Sequence, residues 1–438
     1  MQVPETEQII GMELYATKTE GIGGILRQKP EDFVVKEISG WDVENTGKYL
    51  ILELTKKDWD THHLIRDLSR ALGISQKRIG FAGTKDKKAV TTQRISIFDL
   101  TEDSIEKVHI KDVLLTPIGR CRRSVGLGDL QGNQFKIAIR DIDLDKHELK
   151  KRIDGITSEI LNMGGVPNFF GIQRFGAIRP VTHLVGEALV RGSPEKAAMI
   201  YIAASFRDEQ EDTRIARDEV KNTRDFGQGL KNFPQRLRYE RAMMHYLVEH
   251  PGDYKGAFSI LSENMSRMFV HAFQSYIFNR IICARIKAGI PLNRAIEGDI
   301  VCFRDKDSLP DTSKTQRVNA VNVDGINNLI KRGRAFVTAP LFGYDTEMAS
   351  ELPGEIEASI IDELKLTPED FRLEEIPAMA SGGQRREILL NVQPRFEIFD
   401  DELNIGKYKV ILEFTLPKGS YATTVLREYM KVEPLKMS

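Results

Sequence analysis

The chain has 438 residues, 41% of them hydrophobic, with 63 Lys and Arg against 64 Asp and Glu. That length allows two or three domains, and that apolar content excludes wholesale disorder. A net charge of −1 excludes a global basic field, so a nucleic-acid partner would have to be met by local clusters of cations. The first residues, Met1-Gln2-Val3-Pro4-Glu5-Thr6-Glu7, carry neither a basic n-region nor an apolar h-region, so no secretory signal is expected. Phe33 to Glu37 is β-branched and predicts a strand, and Pro30 biases Lys29 toward extended geometry. Tyr49 to Leu54 predicts a second strand. A helix is expected from Thr61 to Leu72, capped by Asp60 or Thr61 and stopped by Gly73, with Leu64, Ile65, Leu68 and Leu72 on one face.

The stretch Gly80-Phe81-Ala82-Gly83-Thr84-Lys85-Asp86-Lys87-Lys88-Ala89-Val90-Thr91-Thr92-Gln93 follows that helix. It sets one carboxylate, Asp86, among three lysines on a glycine-flanked turn. Cations within a few ångströms keep an Asp ionised, and an ionised carboxylate on such a turn can serve as a nucleophile. The residues alone equally fit a charged surface turn. A phosphate-binding P-loop is excluded, because Gly83-Thr84-Lys85-Asp86 lacks the Gly-Lys-Ser/Thr ending. The Thr61–Leu72 helix should brace the sheet behind this turn, and Thr92 to Phe98 predicts the next strand.

Leu130-Gln131-Gly132-Asn133-Gln134-Phe135 leads into a strand with Phe135, Ile137 and Ile139 on one face and Gln134, Lys136 and Arg140 on the other. The alternation lapses at Asp141, so the strand is expected to end at Arg140. Leu149, Ile153, Ile156 and Ile160 recur at helical spacing, with Gly164 as a stop. Gly165-Val166-Pro167-Asn168-Phe169-Phe170-Gly171-Ile172-Gln173-Arg174-Phe175-Gly176 then opens a different composition. Helices are expected at Pro194–Ala204, Pro234–Glu249 and Ser266–Lys287, and Arg207 to Arg224 as an exposed helix or loop. Phe269, Ala272, Phe273, Tyr276, Ile277 and Phe278 read as core, with His271 a satisfied polar residue beside them. Asp299–Phe303, Ala335–Thr338, Glu387–Leu390 and Tyr408–Leu416 read as strands. Leu416 to Glu428 reads as a strand end, a Gly turn and a helix start, whose free N–H groups suit an anion.

Cys121, Cys283 and Cys302 fit no metal spacing and read as reduced thiols of a cytoplasmic protein. No run reaches the length of a membrane span. Candidate basic clusters are Lys85/Lys87/Lys88, Arg120/Arg122/Arg123, Lys331/Arg332/Arg334 and Arg385/Arg386.

Five of these segments, in order, resemble the TruD family of tRNA pseudouridine synthases. They are Pro30–Glu37, Gly80–Gln93, Gly132–Phe135, Gly165–Gly176 and Leu416–Thr423. The resemblance implies an α+β fold. Residues 1–164 and 375–438 would form a discontinuous catalytic domain on a mixed, largely antiparallel sheet. A mostly helical insertion, 165–374, would bind RNA. It implies isomerisation of uridine to pseudouridine in tRNA, by analogy at position 13, with Asp86 as the nucleophile. Arg27 stands where the family typically has a Lys paired with that Asp; Arg27 and Lys85 are both candidates for the partner. Phe33, Asn133, Phe135 and Tyr421 would form the uridine pocket, with Asn168, Gln173 and Arg174 also on the substrate side. By sequence alone Phe33 and Phe135 read as core. The reaction needs no cofactor and no metal, and a monomer without membrane attachment is expected. Two rivals stand beside this reading: an RNA-binding protein without activity, and an Asp-dependent hydrolase with a metal–carboxylate cluster near Asp86.

Overall fold

The computed structural model describes residues 2–305 and 309–437. Six strands come first: β1 (Phe33–Ser39), β2 (Tyr49–Lys57), β3 (Ile79–Phe81), β4 (Val90–Phe98), β5 (Val113–Cys121) and β6 (Leu130–Ile142). The middle of the chain holds β7 (Val166–Pro167), β8 (Ile300–Arg304), β9 (Pro310–Arg317), β10 (Ala335–Leu341), β11 (Gln384–Glu387) and β12 (Leu389–Leu390). The last two are β13 (Arg395–Asp400) and β14 (Tyr408–Pro417). The large sheet runs β13-β14-β6-β1-β4-β2-β5, with β3 on β4. Its β1–β4 pair is parallel and the other pairs are antiparallel, which gives the mixed sheet of an α+β protein.

The helix Thr61–Ala71 is capped by Asp60, whose carboxylate accepts from the His63 N–H. It buries Leu64, Ile65 and Leu68 in one cluster with Leu50, Leu52 and Leu54 of β2 and Ile95 and Ile97 of β4. That is why it lies behind the Asp86 turn. The helix Lys146–Met163 ends at Gly164, in the left-handed region at φ 80°. Its Leu149, Ile153, Ile156 and Ile160 pack with Ile137, Ile139, Val410 and Leu412 of the sheet.

The lapse after Arg140 is a bulge rather than a strand end. β6 continues to Ile142, and the pairing with β14 skips from Ile139↔Val410 to Ile142↔Tyr408. The extra residue is absorbed by Asp141 at φ 60°, which returns Ile142 to the buried face. Arg140 is itself buried, gripping Asp32 at 2.7 Å and Asp401 at 2.6 Å.

In the middle segment the helix Glu263–Lys287 carries Phe269, Phe273, Ile277 and Phe278 in a third core. It starts three residues before the expected Ser266, because Ser262 caps it. Likewise Pro234 to Leu237 form a turn, and the next helix begins at Arg238. The charge-rich stretch forms a helix, Glu211–Thr223, that is not wholly exposed: Arg217 is buried against Glu209 and Glu240, each at 2.9 Å. A smaller sheet runs β11-β10-β8-β9, and β7 pairs with β12. Among the described residues the chain after β6 rejoins the large sheet at β13. At the other end, the Ile10 carbonyl accepts from Asn279 of the long helix at 3.0 Å. Among the described residues no helix is long and apolar enough to cross a membrane.

Candidate active site

Asp86 stands on the turn between β3 and β4, with its side chain 51% exposed. Three side chains hold the backbone of this turn. Lys56, wholly buried at the end of β2, donates to the Asp86 and Trp59 carbonyls, each at 2.7 Å. The Thr61 hydroxyl takes the Lys85 N–H at 3.1 Å and lies 3.3 Å from the Lys85 carbonyl. Gln93 donates to the Gly83 carbonyl at 3.1 Å. A carboxylate on a turn so tied has its backbone position fixed before any ligand arrives.

Arg27 reaches Asp86 with Nη2–Oδ2 at 3.3 Å. Its backbone sits at φ 56°, and its guanidinium lies 4.1 Å over the Phe33 ring. Burial pulls this guanidinium below its ordinary value, while Asp86 opposes the shift. Lys85, the other candidate partner, turns instead to Glu37 at 2.7 Å. Lys87 and Lys88 are exposed. Burial also drives the Lys56 ammonium down to about 8, with Asp86 and Asp60 opposing.

A cavity of about 380 Å³ opens beside Asp86. Strand register builds one wall: Val35 lies opposite Phe135, and Glu37 opposite Asn133, across β1 and β6. Directly paired residues share a face, so Phe33, Val35, Asn133 and Phe135 converge on the cavity. Phe135 is 6% exposed; its ring is stacked on Phe414 at 5.5 Å and edge-on to Phe33 at 6.2 Å. It is at once core and cavity wall. The Asn133 Oδ1 and Ser420 Oγ atoms are buried without a hydrogen-bond partner. Such atoms are costly unless a ligand satisfies them. The opposite wall is the turn Lys418 to Thr423, with Tyr421 just before the helix Ala422–Met430.

The residues expected at a site therefore divide. Asp86, Arg27, Phe33, Asn133, Phe135, Tyr421 and Gln173 all line this cavity. Asn168 does not: it is fully buried, donates to Glu387 and accepts from Arg386 at 2.7 Å, so it ties chain segments together. Arg174 stands beside the cavity, over the Phe170 ring at 5.9 Å. The basic cluster expected at Arg385 and Arg386 is not a surface pair, because Arg385 is buried against Glu357 at 2.6 Å. Sequence reasoning missed Lys56, although its signal was legible: it falls on the Leu50, Leu52 and Leu54 side of β2, where a lysine must be buried. Among the described residues no three His, Cys, Asp or Glu side chains converge as a metal site, so the carboxylate cluster that the hydrolase rival requires is not seen there.

The family model described as tRNA pseudouridine synthase D (TruD) matches residues 9–429. A Methanococcoides burtonii relative named "Probable tRNA pseudouridine synthase D" is 61% identical over 436 residues, covering 100% of this chain and 99% of the relative. A Pyrococcus abyssi protein of the same name is 41% identical over 417 residues, covering 95% of this chain and 98% of its own. A crystal structure described as "Putative tRNA pseudouridine synthase D (TruD)" from Methanosarcina mazei superposes with a TM-score of 0.93 at 60% identity, over 100% of both chains.

Proposed function

Since the chain belongs to the tRNA pseudouridine synthase D family, we propose that it isomerises uridine to pseudouridine in tRNA, at position 13, with Asp86 acting on the sugar. The observation that carries this reading is the half-exposed Asp86 carboxylate at a cavity walled by Phe33, Phe135 and Tyr421 and by the unpartnered Asn133 oxygen. A uracil lifted from its stack needs an aromatic face and hydrogen bonds to its edge, and the cavity supplies both kinds of group.

In the reaction the C1′–N1 bond breaks, the uracil turns, and C5 bonds to C1′. C5 loses its proton and N1 gains one, so the composition of the nucleotide is unchanged. Asp86 either attacks C1′ or draws off a sugar proton toward a glycal. Arg27 orients the carboxylate in both routes, and its own position is fixed by stacking on Phe33. Gln173 and Arg174 belong to the substrate side of the site. Extruding the base costs a few kcal/mol, and stacking on the aromatic walls, at about 1–3 kcal/mol per base, offsets much of it. The protein works as a monomer, without cofactor or metal. The domain division expected from the sequence, 1–164 and 375–438 around an insertion of 165–374, is proposed with one change: β11 pairs with β10 and β12 with β7, so the second boundary is moved from 375 to between β12 and β13.

Incubation with unmodified tRNA, followed by mapping of pseudouridine, tests the activity and the position together. Asp86→Asn keeps the shape and removes the charge. Its expected outcome is undetectable pseudouridine with tRNA affinity largely kept. Near-normal turnover by that variant would remove Asp86 from the chemistry. Binding without turnover by the wild type would favour the RNA-binding rival.

A further inference from the structure

We propose that Arg174 and Arg386 form a binding site for a phosphodiester of the substrate RNA, beside the nucleotide whose base enters the Asp86 cavity. This rests on the reading of the chain as an RNA-modifying enzyme and adds a site to it.

The buried arginines of this chain differ in where they find their counter-charges. Arg140, Arg217, Arg285, Arg385 and Arg427 are the least exposed, and each lies within 3 Å of at least one carboxylate oxygen. Arg27 and Arg179 are partly buried; Arg27 faces Asp86, and Arg179 faces Glu209 and Glu240. Arg78, Arg94, Arg120 and Arg241 are likewise partly buried, with no ion pair among the described residues, and they donate to backbone carbonyls. What sets Arg174 and Arg386 apart is that both stand beside the Asp86 cavity. Among the described residues neither has a carboxylate oxygen within 4 Å. Arg386 donates from Nη2 to the Asn168 side-chain oxygen at 2.7 Å and to the Gly419 carbonyl at 3.1 Å, both neutral acceptors. Its Nε is buried without a partner. The nearby Glu387 carboxylate accepts from Asn168 at 2.9 Å instead. Arg174 donates from Nε to the Ser275 hydroxyl at 3.4 Å, a long bond.

The two guanidinium groups share one ring. Arg386 lies 4.4 Å over Phe170 and Arg174 5.9 Å from the same centroid, with the Tyr421 ring edge-on to Phe170 at 6.4 Å. The cation–π contact offsets part of the burial cost and leaves hydrogen-bond donors unused. Burial pulls both guanidinium groups below their ordinary value, as it does for Arg27 and Arg179, so an anion bound here would stabilise the charged form. Both residues are only partly buried, and the oxygen ligand would sit on their remaining exposed edge. Gly419 and Gln173, which line the cavity, tie this pair to it. The planar guanidinium fork fits phosphate oxygens, and a nucleotide with its base in the cavity must carry a phosphate a few bonds from the reacting sugar.

The test measures the salt dependence of tRNA binding by the full chain, for the wild type, Arg174→Gln, Arg386→Gln and the two Lys counterparts. Each Gln variant is expected to bind about tenfold more weakly at moderate salt. Its log–log salt slope should be shallower by about 0.7–0.9, the change expected when one phosphate is no longer neutralised. The Lys variants keep the charge and should keep most of the slope. Folded Gln variants with the wild-type slope would overturn the proposal. A second arm uses the wild type alone, in case a Gln variant does not fold. The dinucleotide UpU should raise its melting temperature more than uridine does at equal concentration, and equal shifts would also overturn the site. A wild type that makes no pseudouridine, with slopes that fall in the variants, would keep the phosphate site and remove the synthase reading. Normal pseudouridine formation with unchanged slopes would do the reverse.

Discussion

Lys56 is a cation placed where β2 otherwise buries leucines, and its position has a pH signature. Its ammonium titrates at about 8 in the folded protein, against 10.5 as the ordinary value, because burial outweighs the attraction of Asp86, Asp60 and Asp58. Between those values the unfolded chain holds the proton and the folded protein does not. Stability contributed by this site therefore rises with pH across that window, by at most about 1.4 kcal/mol per pH unit. Urea melts at pH 7.5 and 9.5 should show that gain in the wild type and lose it in Lys56→Met; equal gains in both would refute the assignment. The variant should also turn over more slowly, since Lys56 fixes the Asp86 carbonyl. Phe135 teaches a different lesson. Sequence offered it as core or as substrate contact, and the strand register makes it both core and cavity wall, because it stacks on Phe414 and still faces the cavity. Phe135→Ala is thus expected to lose about 3 kcal/mol of stability, and a large factor in turnover by the fraction that stays folded. A stable variant, or a destabilised one with normal turnover, would show that only one of the two roles is real.

At the scale of elements, what was legible followed the strength of the local pattern. The helix Thr61–Ala71, the helix Lys146–Met163 and the central strands were read from their apolar periodicity, because each buries one full face. The edge strands β5 and β13 were not, since their residues are mostly half-buried or exposed and alternate weakly. The continuation of β6 was misread because a bulge resets the alternation, and only pairing with a distant strand shows that Asp141 is the inserted residue. The cavity residues were legible as motifs on separate elements; that Glu37 would take Lys85 and leave Asp86 to Arg27 depended on register. Gly132 shows how close those elements come. It lies opposite Pro417 on β14, and a Cβ there would press into the Leu416 carbonyl. Gly132→Ala must push apart the strand ends that carry Asn133 and the turn to Tyr421. The expected cost is about 1–3 kcal/mol, with a fall in turnover beyond what the unfolded fraction explains. A melt and a turnover assay on the same preparation check it, and wild-type values in both would mean that the strands part freely.

Over the whole molecule, a net charge of −1 says little about the surface, because many cations are held inside. Arg140, Arg217, Arg285, Arg385 and Arg427 each sit in a buried ion pair, so five positive charges and their acidic partners cancel out of sight. The sequence could not reveal this, since burial of an arginine depends on contacts from far along the chain. Lys331, Arg332 and Arg334 are exposed at the end of the helix Val323–Lys331, and among the described residues none has an acidic oxygen within 4 Å. Lys331 also borders a cavity of about 480 Å³ with Arg294, Asn328 and the half-buried Phe336. A cluster of exposed cations of this kind would supply the local field that a near-neutral RNA binder requires. Replacing these three by Gln should weaken tRNA binding and flatten its salt slope by about 0.7–0.9 for each phosphate they neutralise, three at most. Because they are exposed and lie in no ion pair among the described residues, stability should change by less than about 0.5 kcal/mol each. Turnover at saturating tRNA should stay near the wild-type value, since none of the three lines the Asp86 cavity. A salt slope unchanged by the triple substitution would mean that this face points away from RNA. The electrostatic term would then have to come from the catalytic side, where Lys87 and Lys88 flank the Asp86 turn and Lys418 lines the cavity.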